Sequence, residues 1–143
     1  MAKDCGELVR FMEEDIPFNK LLGIKVEECR EGFARVTVPF RDELVGDARR
    51  PALHGGVLSA VIDACGGLAV WSRFELRDLI ATVDMRTDFL RPGPNCDICV
   101  ESNVVRMGNR VSVVHSIVYP AGDRSTIVAE GRAVYNTRRA DDR

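Results

Sequence analysis

No excess of positive charge runs through these 143 residues: 20 lysines and arginines stand against 22 aspartates and glutamates, a formal net charge of -2. Neutralising a nucleic-acid backbone takes a basic excess or a basic face, so nucleic acid is excluded as the expected partner. A local basic patch for one phosphorylated small molecule is still allowed. No uncharged apolar run reaches membrane length; the longest, Gly55 to Ser72, is broken by Asp63 and rich in glycine. Met1 to Asp15 lacks the basic start and unbroken apolar core of a secretory signal. The five cysteines are an odd number without a tight framework, which suits reduced thiols and a cytoplasmic compartment. Cys96-Asp97-Ile98-Cys99 is half of a tetrahedral metal site with no second Cys or His pair, so neither metal nor cofactor is expected. No repeat, low-complexity tract or linker divides the chain.

What is present is a globular balance, 45% hydrophobic and 29% charged, enough for one domain over 1–143. An N-terminal helical segment is expected over 1–20, with Leu8, Phe11 and Met12 on one face of a helix from Gly6 to Glu14 and a further turn after Pro17. The period then changes to two. Ile24 and Val26 alternate with polar residues, as do Ala34, Val36, Val38 and Phe40, predicting two strands joined around Glu31-Gly32. Arg41 to Leu53 reads as a polar loop. Gly55 to about Arg73 reads as one buried helix, apolar on nearly every side. Four alternating stretches follow, Leu79 to Leu90, Ile98 to Met107, Val111 to Tyr119 and Thr126 to Tyr135, with turn chemistry at each break. The charged tail, 137–143, is expected to fray. Strands in hairpin succession around one buried helix make an α+β domain, an antiparallel sheet curled around that helix.

The only charged side chain between His54 and Arg73 is Asp63. An ionised carboxylate in apolar surroundings must be paired, neutralised or turned to a wet cavity. Gly56, Ser59, Ala60, Asp63, Gly66 and Gly67 form a face of small residues, opposite the bulky Val57, Leu58, Val61, Ile62 and Leu68. An acid in the middle of the small face points at something that must come close. His54-Gly55-Gly56 opens the helix, where unpaired amides and partial positive charge suit a developing oxyanion and glycine removes the Cβ from its path. Cys65 lies off the small face, which argues against a nucleophile partnered by His54. His115 reads as a strand histidine with a hydrogen-bond partner. Arg49, Arg50, Arg91, Arg106 and Arg110 sit at loops or strand ends.

The run Leu53-His54-Gly55-Gly56-Val57-Leu58-Ser59-Ala60-Val61-Ile62-Asp63 resembles the signature of hotdog-fold acyl-CoA thioesterases of the phenylacetate-degradation type. Ala81-Thr82-Val83-Asp84-Met85 through Phe89-Leu90-Arg91-Pro92-Gly93 is similar to the strand after the central helix in that family. Gly108-Asn109-Arg110 and Ala129-Glu130-Gly131-Arg132-Ala133 resemble its later hairpin and last strand. The resemblance runs from about Leu21 to Tyr135. It implies a homodimer, often paired into a dimer of dimers, that hydrolyses an acyl-CoA thioester at the subunit interface. By that match the Gly55 amide polarises the carbonyl, with His54 and Gly56 beside it. Asp63 of the other subunit serves as general base or nucleophile, and Thr82 helps to hold the attacking water. Thr82 is read as sharing a strand face with Asp84 and Arg86. Asp47 or Ala48 stands where many relatives carry an Asn, so Asp47 is the substrate-side candidate there; an ionised Asp offers no donor. Arg91, Gly108 and Arg110 are the candidates for coenzyme A, Arg110 first. The competing readings are a non-catalytic acyl-CoA binding or regulatory domain, and a hydratase, whose catalytic His and acid spacing are not found here.

Overall fold

A computed structural model describes residues 5–142 of the chain. Residues 1–4 of the expected N-terminal helical segment, and Arg143 of the expected tail, lie outside the described residues. The segment begins as α1 (Gly6–Arg10) and widens into one π turn, Phe11–Asp15, in place of a uniform helix. Leu8 and Met12 are buried against the core. Pro17 starts α2 (Pro17–Leu22) at the first helical position, where its fixed φ suits a helix and its missing N–H costs nothing. Gly23, at φ 74, ends it in the left-handed conformation.

Six strands form one antiparallel sheet: β1 (Lys25–Arg30), β2 (Phe33–Val38), β5 (Leu79–Phe89), β6 (Ile98–Met107), β7 (Val111–Pro120) and β8 (Ala129–Arg138). Their order is β1-β2-β6-β7-β8-β5, which leaves β5 on an edge. The segment from Arg41 to Leu53 is not a plain loop. A 3-10 turn at Asp42–Leu44 leads into a small hairpin of β3 (Val45–Asp47) and β4 (Arg50–Leu53). Alternation was too short there to reveal it. The last strand starts at Ala129 rather than Thr126 and runs on to Arg138, and the described part of the tail, to Asp142, is tied down rather than frayed. The Asp78 carboxylate accepts from the Ala140 amide at 2.9 Å, and Arg77 holds Asp141 through two bonds of 3.0 Å.

The helix α3 (Gly55–Trp71) lies across the inner face of this sheet. Leu58, Val61, Ile62, Cys65 and Leu68 are fully buried on its sheet side; each such Leu, Ile or Val contributes about 1.5–3 kcal/mol. Directly beneath runs a cross-strand row of small residues, Ala34, Ser102, Ser116, Gly131 and Thr87. A Cβ at Gly131 would lie 2.6 Å from Ile62 Cγ2, so glycine sets how closely the helix approaches. The two buried serines satisfy one another at 2.6 Å. No described helix is long and apolar enough to cross a membrane.

Candidate active site

Asp63 sits half-buried in the middle of α3, and among the described residues the one side chain that donates to it is Thr82, from Oγ1 to Oδ1 at 2.6 Å. Among the described residues it has no ion-pair partner. The expectation that Thr82 shares a face with Asp84 and Arg86 is corrected. A bulge between Thr82 and Asp84 takes Val83 out of register with β8, and strand parity flips across it. Thr82 therefore faces inward with Met85 and Thr87, while Asp84, Arg86 and Asp88 face out. The same strand tracks the first half of α3: Thr87 Oγ1 accepts from Ser59 at 3.1 Å, and Phe89 lies over Gly55.

Sequence patterns gave no sign of Tyr135, whose buried hydroxyl donates to the main-chain oxygen of Asp63 at 2.8 Å. Gly66 admits it: a Cβ there would fall only 2.4 Å from that hydroxyl. The Gly66-Gly67 pair was the available signal, since adjacent glycines inside a buried helix need a close neighbour to explain them.

At the start of α3, His54 is the N-cap, and its Nδ1 accepts from the Gly56 amide at 2.8 Å. The Val57 amide donates to the His54 carbonyl at 2.9 Å. That leaves the Gly55 N–H as the donor without a partner among the described residues. Gly55 and Asp63 are eight positions apart on one helix, about 12 Å along its axis, so one chain cannot bring both to a single carbonyl.

The remaining candidates lie apart from this pair. Asp47 turns back on its own hairpin, accepting from the Arg49 amide and guanidinium at 2.9 Å each. Those bonds hold its carboxyl below the ordinary carboxylate range. Gly108 spends its amide on the Val111 carbonyl at 2.9 Å, in a turn where a Cβ would strike that oxygen. The turn presents Arg110 beside Arg138 and Arg139 around a polar cavity of about 500 Å³. Arg91 is exposed just after β5.

Cys65 is sealed under the sheet, donating toward the Ala34 and Val100 carbonyls at 3.4 and 3.5 Å. Burial pushes its thiol up to about 12, which suits a core residue and not a nucleophile. The hydrogen-bond partner expected for His115 is not found among the described residues; it lies half-buried on the outer sheet face between Asn103 and Arg132. No group of three or more described His, Cys, Asp or Glu side chains is placed to hold a metal.

The family model of the thioesterase superfamily matches residues 51–127, more than half the chain. A Halobacterium salinarum protein named as an esterase is 32% identical over 98% of this chain and 97% of its own length. The medium/long-chain acyl-CoA thioesterase YigI of Escherichia coli is 29% identical over 84% of each chain. Among solved structures, a Shewanella oneidensis protein related to the thioesterase superfamily superposes with a TM-score of 0.81, at 28% identity, over 91% of this chain and 92% of that one. With a family match spanning the central helix and a six-stranded antiparallel sheet wrapped on it, the chain belongs to the thioesterase superfamily and has its hotdog fold.

Proposed function

We propose that the protein is an acyl-CoA thioesterase whose site is completed by two copies of the chain, Asp63 from one and the Gly55 amide from the other. The observation that carries this reading is a pair of half-sites too far apart to act together. Among the described residues, one is a half-buried carboxylate with a single threonine partner and the other a glycine amide with none. An antiparallel pairing of two β5 edges about a twofold near Met85 and Arg86 carries Thr82 of one copy toward Phe89 of the other, and hence to Gly55. The edge is suited to this, since Val83 and Phe89 are 63% and 52% exposed and the strand's outer hydrogen-bonding groups are free to pair.

In this arrangement a water molecule between Asp63 and Thr82 gives its proton to the free Asp63 oxygen. The water oxygen attacks the thioester carbonyl carbon. The oxyanion that forms is held by the Gly55 amide, a fixed donor stronger in the transition state than in the ground state. Collapse breaks the carbon–sulfur bond, and the departing thiolate recovers the proton from Asp63. The products are the free acid and coenzyme A. Kinship to a thioesterase named for medium- and long-chain acyl-CoA supports that substrate class. The basic rim of Arg110, Arg138 and Arg139 is the proposed contact for coenzyme A phosphates.

The deciding experiment is thiol release from an acyl-CoA by Asp63→Asn. The change keeps the shape and removes the basic oxygen, so a loss of roughly two or more orders of magnitude is expected with the fold intact. Release at the wild-type rate would overturn the assignment. A drop in melting temperature with specific activity retained would make Asp63 a structural residue.

A further inference from the structure

Beyond Asp63 the small face of α3 does not end. Ala64 and Gly67 continue it and, with Ala60 before the acid, form the floor of a cavity of about 270 Å³ that also takes in Asp63 and Thr82. Its walls are Met12 and Ile16 from the N-terminal segment and Ile80 from β5. The π turn Phe11–Asp15, which carries Met12, adds a residue to the helical turn just before Ile16. Trp71 lines the cavity toward the C-terminal end of α3, and two contacts hold its ring. Its ring meets Phe11 edge-on at 5.5 Å, and its Nε1 donates to the Glu75 carbonyl at 3.0 Å.

The helical span between Asp63 and Trp71 measures what would fill this space. Asp63 and Trp71 are eight helical positions apart, about 12 Å; an extended chain advances about 1.2 Å per bond, so about ten carbons reach from the acid to the end wall. Among the described residues the lining has no charged group besides Asp63, and its Met12, Ile16, Leu68 and Ile80 side chains suit an apolar chain better than a charged acyl group.

We propose that this cavity is the acyl site, that it takes a straight aliphatic acyl chain of about eight to ten carbons, and that Trp71 sets the limit. The proposal rests on the thioesterase reading for the identity of the group at Asp63. The N-terminal segment is then a specificity wall.

Trp71 is the sole tryptophan, so its fluorescence reports occupancy directly. The probes are S-alkyl-coenzyme A thioethers of four to sixteen carbons, which lack the carbonyl and cannot be cleaved. Affinity should rise about fourfold per methylene, the worth of one buried CH2, and level off at about eight to ten carbons, with a change in Trp71 emission. Gly67→Ala narrows the floor, and its Cβ meets Tyr135 at an ordinary 3.6 Å; it should move the break to shorter chains by about one carbon, the size of the added methyl. Affinity that climbs unbroken to sixteen carbons, binding by calorimetry without any Trp71 response, or an S-phenethyl thioether that binds more than tenfold tighter than the octyl one would overturn the proposal. Failure of the thioesterase reading looks different: thioethers bind with this profile, but the matching acyl-CoA esters release no thiol.

Discussion

The Thr82 hydroxyl donates to Asp63 Oδ1 across 2.6 Å, from an edge strand to the middle of the central helix, and it can do so only because the Val83 bulge turns Thr82 inward. The bond fixes the carboxylate rotamer, leaves Oδ2 free to take a proton, and leaves the threonine oxygen free to accept from a water. Thr82→Val keeps the shape and removes these functions. We expect kcat to fall about tenfold, the equivalent of one modest hydrogen bond in the transition state, with KM and Tm nearly unchanged. Steady-state kinetics beside a thermal melt checks this; an unchanged kcat contradicts it.

Arg110 is expected to act through binding alone. It stands with Arg138 and Arg139 on a polar cavity separate from the one at Asp63. Arg110→Ala should therefore raise KM for acyl-CoA more than it lowers kcat, because a remote phosphate contact contributes equally to ground and transition states. A short acyl thioester without the nucleotide should not feel the change. Equal losses on both substrates would mark Arg110 as structural.

On the outer sheet face, Glu101 is buried between Tyr119, whose hydroxyl donates at 2.5 Å, and Arg124, whose Nε donates at 2.7 Å. The Arg124 bond, helped by Tyr119 against the opposing effect of burial, holds the Glu101 carboxyl below its usual range. Its stabilisation is thus present above the unfolded value, about 4.3, and is lost as pH falls through the lower folded value. Glu101→Gln should cost about 1–2 kcal/mol at pH 7, a Tm lower by roughly 3–8 °C. The gap should close as wild type protonates below about pH 4. Melts at pH 7 and pH 3 test it; a gap that persists at pH 3 assigns the loss to packing.

Most of the architecture could be read from periodicity, because α3 is apolar over five turns and the strands alternate at length. Asp63 stood out for the same reason: a single charge in such a run is conspicuous. Short or locally irregular features were hidden. The β3–β4 hairpin is too brief to show alternation, and a bulge leaves no mark in composition, so Thr82 was placed on the wrong face. Tyr135 joins the site through a main-chain bond formed across the fold, and Met12 and Ile16 reach the cavity by a tertiary route. Neither has a sequence spacing to betray it.

The central claim is that a working site takes Asp63 and Gly55 from different chains, and two inactive variants can test it by rescuing each other. Asp63→Asn removes the base. Gly55→Pro removes the amide donor at the first helical position, where no helical bond is lost. His54 already has ψ 135, which a following proline favours, and the added Cβ meets the exposed Phe89 side chain, whose ring end has room to give. Each variant alone should be folded and inactive. When an equal mixture is unfolded and refolded together, half of the dimers are mixed, and each mixed dimer holds one intact site and one lacking both groups. About a quarter of wild-type activity should therefore return. No recovered activity, with mixed dimers confirmed by mass, would contradict the shared site.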